Sequence, residues 1–248
     1  MSVEIKIPTI DGLTLNTKNK YVKDDIAITI GIPHYDGSSN LDVTPTEDGL
    51  ITRTLTSYKN DRITEVGRYG LAYFGSLASI ELPNVTTVGS QAFRGSGIKS
   101  LLLPKVTTIV GDTCHECASL KYASLPLVKV FTQNDFYSCA SLNCVDISSA
   151  QSLLRNIFNS CYTLKTVIIR QVEKVCSLGS TNVFSNCYHI LGTVNATYNP
   201  DGLKDGYIYV PDSLIESYKS ATNWSTYADQ IKPVSEIPQE VKDALGIE

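Results

Sequence analysis

The stretches FYSCASLNCVDI (residues 136–147) and FNSCYTLKTVII (residues 158–169) are two copies of one phrase. It reads aromatic-x-x-Cys-x-x-Leu-x-x-(Val/Ile)-x-Leu and recurs, with variations, through much of the chain. Its copies begin at Leu71, Phe93, Cys114, Phe136, Phe158 and Phe184, at intervals of 22, 21, 22, 22 and 26 residues. A period of this length is typical of a solenoid, in which successive coils stack around one continuous core. The sequence therefore predicts a solenoid fold.

Each copy contains two short segments with the character of β-strands. After the Leu, apolar and polar residues alternate, as in residues 79–82 (SIEL), which is the period of a half-buried strand. Pro83 is the first of three prolines that follow such segments, where strand pairing would end. A second segment, 85–88 (VTTV), recurs at 106–109 and 128–130. Stacked coils then form parallel sheets with strands about 4.8 Å apart, joined by tight, partly helical turns.

The cysteines follow the same repeat. The chain has seven, an odd number, and no secretory signal is visible, so a disulfide framework is not expected. Cys117, Cys139, Cys161 and Cys187 all occupy the fourth position of the phrase. Because Cys is small, apolar and often fully buried, we expect these four to stack as a ladder of free thiols inside the coils.

The segment CHEC (residues 114–117) allows a second interpretation. Cys-x-x-Cys with an intervening His is compatible with half a zinc site or with a redox pair. A zinc site needs about four ligands, and the other histidines, His34 and His189, lie in distant segments. Both cysteines coincide with core positions of the repeat, which favours packing. The sequence thus predicts neither a metal nor a cofactor.

Composition and charge exclude several functions. Apolar residues make up 42% and charged residues 19% of the 248 positions, as in globular proteins. The net charge is −4 and no basic patch with interleaved aromatic residues occurs, so nucleic acid is not an expected partner. The sequence shows no signal peptide, and no apolar run is long enough to cross a bilayer. We therefore expect a soluble protein without membrane insertion.

No catalytic residues stand out. Nucleophilic catalysis needs Ser or Cys with a His and a carboxylate within reach, and the chain has three histidines. His115 and His189 would lie several coils apart, at least ~14 Å by the spacing of stacked strands. A glycine-rich phosphate loop is also missing. The sequence predicts a protein that is not an enzyme.

The chain divides into three predicted parts. Residues 1–46 alternate apolar and polar side chains without the repeat phrase, and we expect a small β module for assembly or docking. Residues 47–194 hold the repeats. Residues 195–248 are expected to form a C-terminal α/β cap, because an open solenoid end exposes both apolar core and unpaired strand edges.

The predicted cap has four recognisable features. Residues 207–210 (YIYV) have strand character, and residues 213–216 (SLIE) match a capping box that opens a short helix. Trp224 and Tyr227 are expected to cover the last coil. A final helical turn is expected across residues 238–245, with a glycine directly after it.

Two rows of outward-pointing positions run along the predicted coils, one on each side of the buried strand residue. The first row is Ser79, Ser100, Tyr122, Cys144 and Thr166, and the second is Glu81, Leu102, Ser124, Asp146 and Ile168. The candidate residues for binding a ligand or partner are Ser79, Glu81, Leu102, Tyr122, Ser124, Asp146, Thr166 and Ile168. The alternative is an ordinary solvated face. Leu102 and Ile168 indicate a contact with the N-terminal module or another subunit.

The repeat phrase, with Ala92-Phe93 in an early copy, resembles the BspA-like leucine-rich repeat. Residues 206–229 are similar to the segment that follows such repeats, and residues 50–61 to the segment that precedes them. Cys114 departs from the family pattern, in which an aromatic residue is usual, and Ser96 stands where Cys is usual. The resemblance implies a leucine-rich-repeat solenoid with a role in adhesion or surface recognition.

The closing segment is of a kind associated with phage and prophage proteins of gut bacteria. The resemblance therefore implies a virion protein of the tail or baseplate that binds a host-surface protein or glycan. The N-terminal module would then contact other virion proteins or mediate self-association. The alternative is a BspA-like adhesin of the bacterial cell surface. The missing leader favours the virion, because a virion protein is assembled in the cytoplasm.

Overall fold

The chain forms a solenoid of stacked coils, which confirms the predicted fold class. The computed structural model describes residues 56–247 and the backbone of Thr29–Ile30. Each coil gives one short strand to a front sheet and one to a back sheet, and all strand pairs are parallel. The front strands are β2 (Ser57–Lys59), β4 (Ser79–Glu81), β6 (Ser100–Leu102), β8 (Tyr122–Ser124), β10 (Cys144–Asp146), β12 (Thr166–Ile168), β14 (Tyr207–Val210) and β15 (Ile231–Pro233). The back strands are β1 (Thr29–Ile30), β3 (Glu65–Val66), β5 (Thr87–Val88), β7 (Thr108–Ile109), β9 (Val130–Gln133), β11 (Ser152–Arg155) and β13 (Ser177–Leu178).

Both sheets are divided once along the solenoid. The front sheet has a six-stranded part in the order β15-β14-β12-β10-β8-β6 and a separate pair β2-β4, and the back sheet divides between β7 and β9. The front division falls at the coil that is one residue short, near Gly97. A Cβ atom on Gly97 would lie 2.1 Å from the Gly75 carbonyl oxygen. The shortened turn therefore brings two backbones so close that only glycine fits.

The core consists of aromatic and thiol columns that repeat from coil to coil. Phe136, Phe158 and Phe184 stack with ring centroids 5.6 Å apart at each step. All seven cysteines are free and buried. Four thiols donate to the backbone carbonyl of the first phrase residue in the preceding coil: Cys117 to Phe93 at 2.9 Å, Cys139 to Cys114 at 3.1 Å, Cys161 to Phe136 at 3.0 Å and Cys187 to Phe158 at 3.1 Å. The predicted ladder of free thiols is confirmed.

The turns between the sheets are not helical in the described coils before the last. The prediction of partly helical turns is therefore wrong for these coils. Each of these coils contains at least two residues with positive φ, for example Asn134 (51°) and Ser138 (58°). Left-handed residues four positions apart interrupt any helical turn between them. Helical structure occurs in the last coil, as a 3₁₀ helix at Thr181–Phe184 and helix α1 at Tyr188–Leu191.

The C-terminal segment covers the last coil, as predicted. Trp224 and Tyr218 are fully buried, and both meet Cys176. The indole Nε1 donates to the Cys176 carbonyl at 2.6 Å, and the Tyr218 hydroxyl accepts from the Cys176 amide at 2.9 Å. Tyr227 packs edge-on against Phe184 with centroids 5.1 Å apart. These aromatic residues replace the neighbour that the last coil lacks.

The helices of the cap depart from the prediction in one respect. Helix α2 (Ile215–Ser220) and helix α3 (Gln239–Leu245) form where helical turns were expected, and the left-handed Gly246 ends α3. The capping box predicted at Ser213 is wrong, because Asp212–Leu214 forms a 3₁₀ turn and α2 begins without a side-chain cap. Asp212 instead accepts hydrogen bonds from Ser235. Within the described residues, no helix is long and apolar enough to cross a membrane.

The predicted N-terminal module lies outside the described residues except for β1. Thr29 pairs with Glu65 and Ile30 with Val66, so β1 extends the back sheet at its N-terminal edge. The division of the chain at residues 46 and 194 stays a prediction.

Candidate binding face

The front sheet brings the predicted rows together in register. Ser100, Tyr122, Cys144 and Thr166 are consecutive partners in the first row, and Leu102, Ser124, Asp146 and Ile168 in the second. Tyr207 and Tyr209 of β14 continue both rows. Ser79 and Glu81 lie on β4, which pairs with β2 on the other side of the sheet division. The spacing of the repeat thus placed the candidate residues on one face of the molecule.

Helix α3 covers the C-terminal half of this face. Its Val241 and Leu245, with Ile237 before it, pack on Cys144, Ile168 and Tyr209 in an apolar cluster separate from the main core. Cys144 is 3% exposed and Ile168 is 0% exposed. The contact of Ile168, which was expected with the N-terminal module or another subunit, is instead made with the chain's own C-terminal helix.

Four candidate residues are buried, so the expectation of a solvent-facing position is wrong for all of them except Ile168, for which a contact was expected. They are Ser124, Asp146, Thr166 and Ile168. Their local sequence pattern is that of an exposed strand face. This pattern gives no sign that helix α3, which begins at Gln239, packs back on the front sheet. In this arrangement their side chains are closed to a ligand.

The carboxylate of Asp146 is fully used inside the protein. It accepts hydrogen bonds from the Ser124 hydroxyl at 3.1 Å, the Ser148 amide at 3.1 Å and the Ser148 hydroxyl. A buried carboxylate with three donors is stabilised where it lies. Asp146 therefore acts as a structural link between β8, β10 and the following turn.

The N-terminal half of the face is open. We call the side chains of Ser79, Glu81, Ser100, Leu102 and Tyr122 the open face. Leu102 is 44% exposed, Ser79 and Glu81 are exposed, and Tyr122 is half-buried at the edge of the α3 cluster. Glu81 pairs with Lys59 of the neighbouring strand at 2.6 Å. The binding role of these residues stays a prediction.

Sequence reasoning missed a third row, which lies just before each front strand. Its members Lys99, Lys121, Asn143 and Lys165 are linked by backbone hydrogen bonds of 2.8–2.9 Å from each amide to the carbonyl one coil earlier. Lys99 and Lys121 are exposed and border the open face. The sequence contains the signal for this row. Lys99 and Lys121 lie 22 residues apart, and each directly follows the Leu or Ile of its copy of the phrase.

The segment between α1 and β14 adds a polar cluster beside this row. Asp205 accepts from Lys165 at 2.7 Å and lies 2.6 Å from Nδ1 of His189, whose Nε2 lies 3.0 Å from the Tyr198 carbonyl. Partial burial acts to raise the pKa of Asp205, but the contacts with Lys165 and His189 outweigh it and lower that pKa below its ordinary value. The cluster holds the inserted segment against the coils.

The cysteines of the CHEC segment take part in packing. Cys114 and Cys117 are both fully buried in the core columns. Burial raises the pKa of the Cys114 thiol well above its ordinary value, and it raises the pKa of Cys176 to about 12. In residues 56–247, no group of three or more His, Cys, Asp or Glu side chains is arranged to hold a metal ion.

The repeats and their packing place this chain in the class of leucine-rich repeat scaffolds. Residues 64–191 match the BspA type leucine rich repeat region in six copies, and the chain belongs to this family. Proteins of this class generally serve as non-enzymatic binding scaffolds, with extended surfaces that bind partners.

Two solved structures show what the chain is similar to. A leucine-rich repeat protein from Eubacterium ventriosum ATCC 27560 is 23% identical, with 63% of this chain and 41% of that chain covered and a TM-score of 0.42. A leucine rich cell surface protein from Faecalibacterium prausnitzii A2-165 is 18% identical, with 77% and 62% covered and a TM-score of 0.29. This chain thus spans less than two thirds of either protein's length. No curated protein matches it.

Proposed function

We propose that this protein recognises a ligand on a bacterial surface through the open face. The observation that carries the proposal is the contrast between the two halves of the front sheet. Helix α3 closes the C-terminal half, whereas Leu102 stays 44% exposed on the other half. An apolar side chain flanked by hydroxyl groups and a tyrosine is a surface suited to a glycan or a protein partner.

The scaffold supports this role because it presents the side chains on rigid, hydrogen-bonded strands. Ser100 and Tyr122 are register partners, as are Leu102 and Ser124. A surface that is already ordered loses little conformational entropy when it binds. A ligand that repeats along its length can contact successive coils in the same way.

We further propose that the protein is a tail or baseplate component of a phage or prophage, located in the virion. The resemblance of residues 206–229 to the ending of such proteins supports this assignment. The predicted N-terminal module would join it to other virion proteins or to further copies of itself. The second candidate is an adhesin on the bacterial cell surface, which the BspA-type repeats support equally.

Binding to bacterial cells tests the recognition role. Fluorescently labelled full-length protein is incubated with cells of the strain that carries its gene and with related strains, and flow cytometry measures the bound protein. We expect Leu102→Asp to reduce binding about tenfold or more, because a charge then occupies the apolar centre of the surface. Leu127→Asp is the matched control, since Leu127 is 45% exposed and lies outside the front rows. Equal losses in the two variants, or no binding to any strain, would contradict the proposal.

Location separates the two candidates. Antibodies against the protein are applied to purified phage particles after prophage induction and, separately, to intact uninduced cells. Label at the tail tip supports the virion role, and label on intact cells supports the adhesin. Light scattering on the full-length protein then measures whether it self-associates.

A further inference from the structure

We propose that Lys99 and Lys121 form a binding site for the carboxylate groups of an acidic polysaccharide. This inference rests on the proposed function and specifies its ligand, since the two lysines border the open face. The ligand class is a glycan that carries a carboxylate on successive sugars, such as a polyuronate.

The first argument is that the two positive charges are directly opposite each other. The Lys121 amide donates to the Lys99 carbonyl at 2.8 Å, so the two side chains leave neighbouring coils at the same register position. Both are exposed. Like charges opposite each other on neighbouring strands destabilise a sheet. The chain carries this unfavourable pair in a protein whose net charge is −4, so the positive character is local.

The second argument is that several other charged side chains on neighbouring coils are matched. Lys59 pairs with Glu81 at 2.6 Å and Arg94 with Glu116 at 3.3 Å, each one coil apart. Lys165, in the same row as Lys99 and Lys121, is matched by Asp205 at 2.7 Å. Within the described part of the chain, neither Lys99 nor Lys121 belongs to an ion pair. Two lysines one coil apart therefore present unneutralised charge where a bound anion would remove the repulsion.

The third argument concerns the neighbours of the two lysines. Ser100 and Tyr122 directly follow them in the chain, are both half-buried and are register partners on the front sheet. A serine hydroxyl and a tyrosine can donate and accept hydrogen bonds with sugar hydroxyl groups, and an aromatic ring provides a stacking surface. The site thus combines charge for the carboxylates with polar and aromatic groups for the sugar rings. The α3 cluster covers part of Tyr122, whereas Lys99 and Lys121 are exposed.

Calorimetric titration with a tetramer of galacturonic acid tests the proposal, and the methyl ester of the same tetramer is the uncharged comparison. We expect the acid to bind more tightly than the ester, with an affinity that falls as salt is added. The double variant Lys99→Gln with Lys121→Gln should lose about tenfold or more in affinity, since it removes two charged hydrogen-bond donors. The double variant Lys129→Gln with Lys174→Gln is the matched control, because both lysines are exposed, unpaired within the described residues and remote from the front rows.

A single reversal of charge gives a second, opposite readout. Lys121→Glu places a carboxylate opposite Lys99, as in the pair of Lys59 and Glu81. We expect this variant to lose binding of the tetramer while its melting temperature rises by about 1–3 °C. If Lys99 and Lys121 affected stability alone, Lys121→Glu would not combine a higher melting temperature with a loss of tetramer binding.

The outcomes separate this inference from the proposed function. Equal affinity for the acid and the ester, or equal loss in the two double variants, would overturn the lysine site. If labelled protein still binds cells and the change at Lys99 and Lys121 leaves that binding intact, recognition stands and the acidic ligand is wrong. If the unaltered protein binds the acidic tetramer but no cells, the lysine site stands and the recognition role is wrong.

Discussion

Asp135 is a carboxyl group at a core position of the repeat. The equivalent residues of other coils include Ala92, Ile157 and Val183, whereas Asp135 is 0% exposed. Its carboxyl group accepts hydrogen bonds from the Thr113 hydroxyl at 2.8 Å and the Thr132 amide at 3.1 Å. Burial nevertheless dominates over these contacts and raises the pKa of Asp135 from 3.8 to about 7.

We therefore expect Asp135 to make stability depend on pH. The folded protein holds a proton on this group between pH 3.8 and about 7, whereas the unfolded chain has released it. The contribution of Asp135 is then fully present below pH 3.8 and is lost as the pH rises through about 7, by up to about 4 kcal/mol. Asp135→Asn removes the titration, so its melting temperature relative to the unaltered protein should rise from pH 4 to about pH 7 and then level off. A constant difference between the two proteins over this range would show that the carboxyl group does not titrate there.

Gly95 occupies one of the left-handed positions that each turn requires. Its φ is +62°, and a Cβ atom would lie 2.9 Å from Cδ1 of Tyr73. Gly95→Ala is expected to lower the free energy of unfolding by about 1–2 kcal/mol, because of the left-handed backbone and the added contact. Urea denaturation measures the change. Gly75→Ala is the control and should not destabilise the protein, since no atom lies within 4 Å of its added Cβ; comparable losses in the two variants would contradict the backbone argument.

At the scale of single elements, helix α3 is the most separable part of the structure. Its seven residues are too few for a stable isolated helix. It holds its place through Val241 and Leu245, which pack on Cys144 and Ile168 outside the main core. Burial raises the pKa of the Cys144 thiol, so α3 keeps this thiol both covered and protonated.

Val241→Asp should release α3 from the front sheet, because an unpaired charge in the apolar cluster costs several kcal/mol. We expect one thiol, that of Cys144, to react with a maleimide under native conditions, while the thiols in the coils remain protected. Mass spectrometry of the labelled peptides identifies the site. Gln239→Asp adds the same charge at an exposed position of the same helix and should leave Cys144 unreactive. Labelling of the core cysteines in Val241→Asp would instead indicate global unfolding.

At the scale of the whole molecule, stability should be uneven along the solenoid. Each coil contacts only its neighbours, so a division in the sheet weakens the coupling across it. The pair β2-β4 lies beyond such a division, whereas β14 and β15 belong to the six-stranded sheet. Trp224 and Tyr218 further bury the C-terminal end.

Hydrogen exchange can measure this difference. We expect the amides of β2 and β4 to exchange about tenfold or more faster than those of β10 and β12, which requires a difference of roughly 1.4 kcal/mol in local opening. Strand β14 is the internal control, because it lies close to the other end yet is covered by the cap. Uniform protection from β4 to β14 would show that the sheet division does not weaken the coupling.

The repeat phrase was sufficient to predict several features because they depend on spacing alone. Positions 22 residues apart must stack, so the thiol ladder and the register of Tyr122, Cys144 and Thr166 follow from the sequence. The capping box at Ser213 does not form, because Asp212–Leu214 is a 3₁₀ turn. Asp212 is held there by a hydrogen bond from Ser235, 23 residues away, which a local motif does not encode. The third row with Lys99 and Lys121 was overlooked although its spacing was visible in the same way.

The sequence by itself determined the solenoid, its coil boundaries and the side chains that share each face, since a fixed period dictates which residues become neighbours. Only the tertiary structure decided which part of the front face is open. Ile168 has the pattern of an exposed strand residue, yet it is buried beneath α3. No local period encodes the place where a helix of seven residues will dock. That place depends on the apolar surface that remains after the coils have stacked.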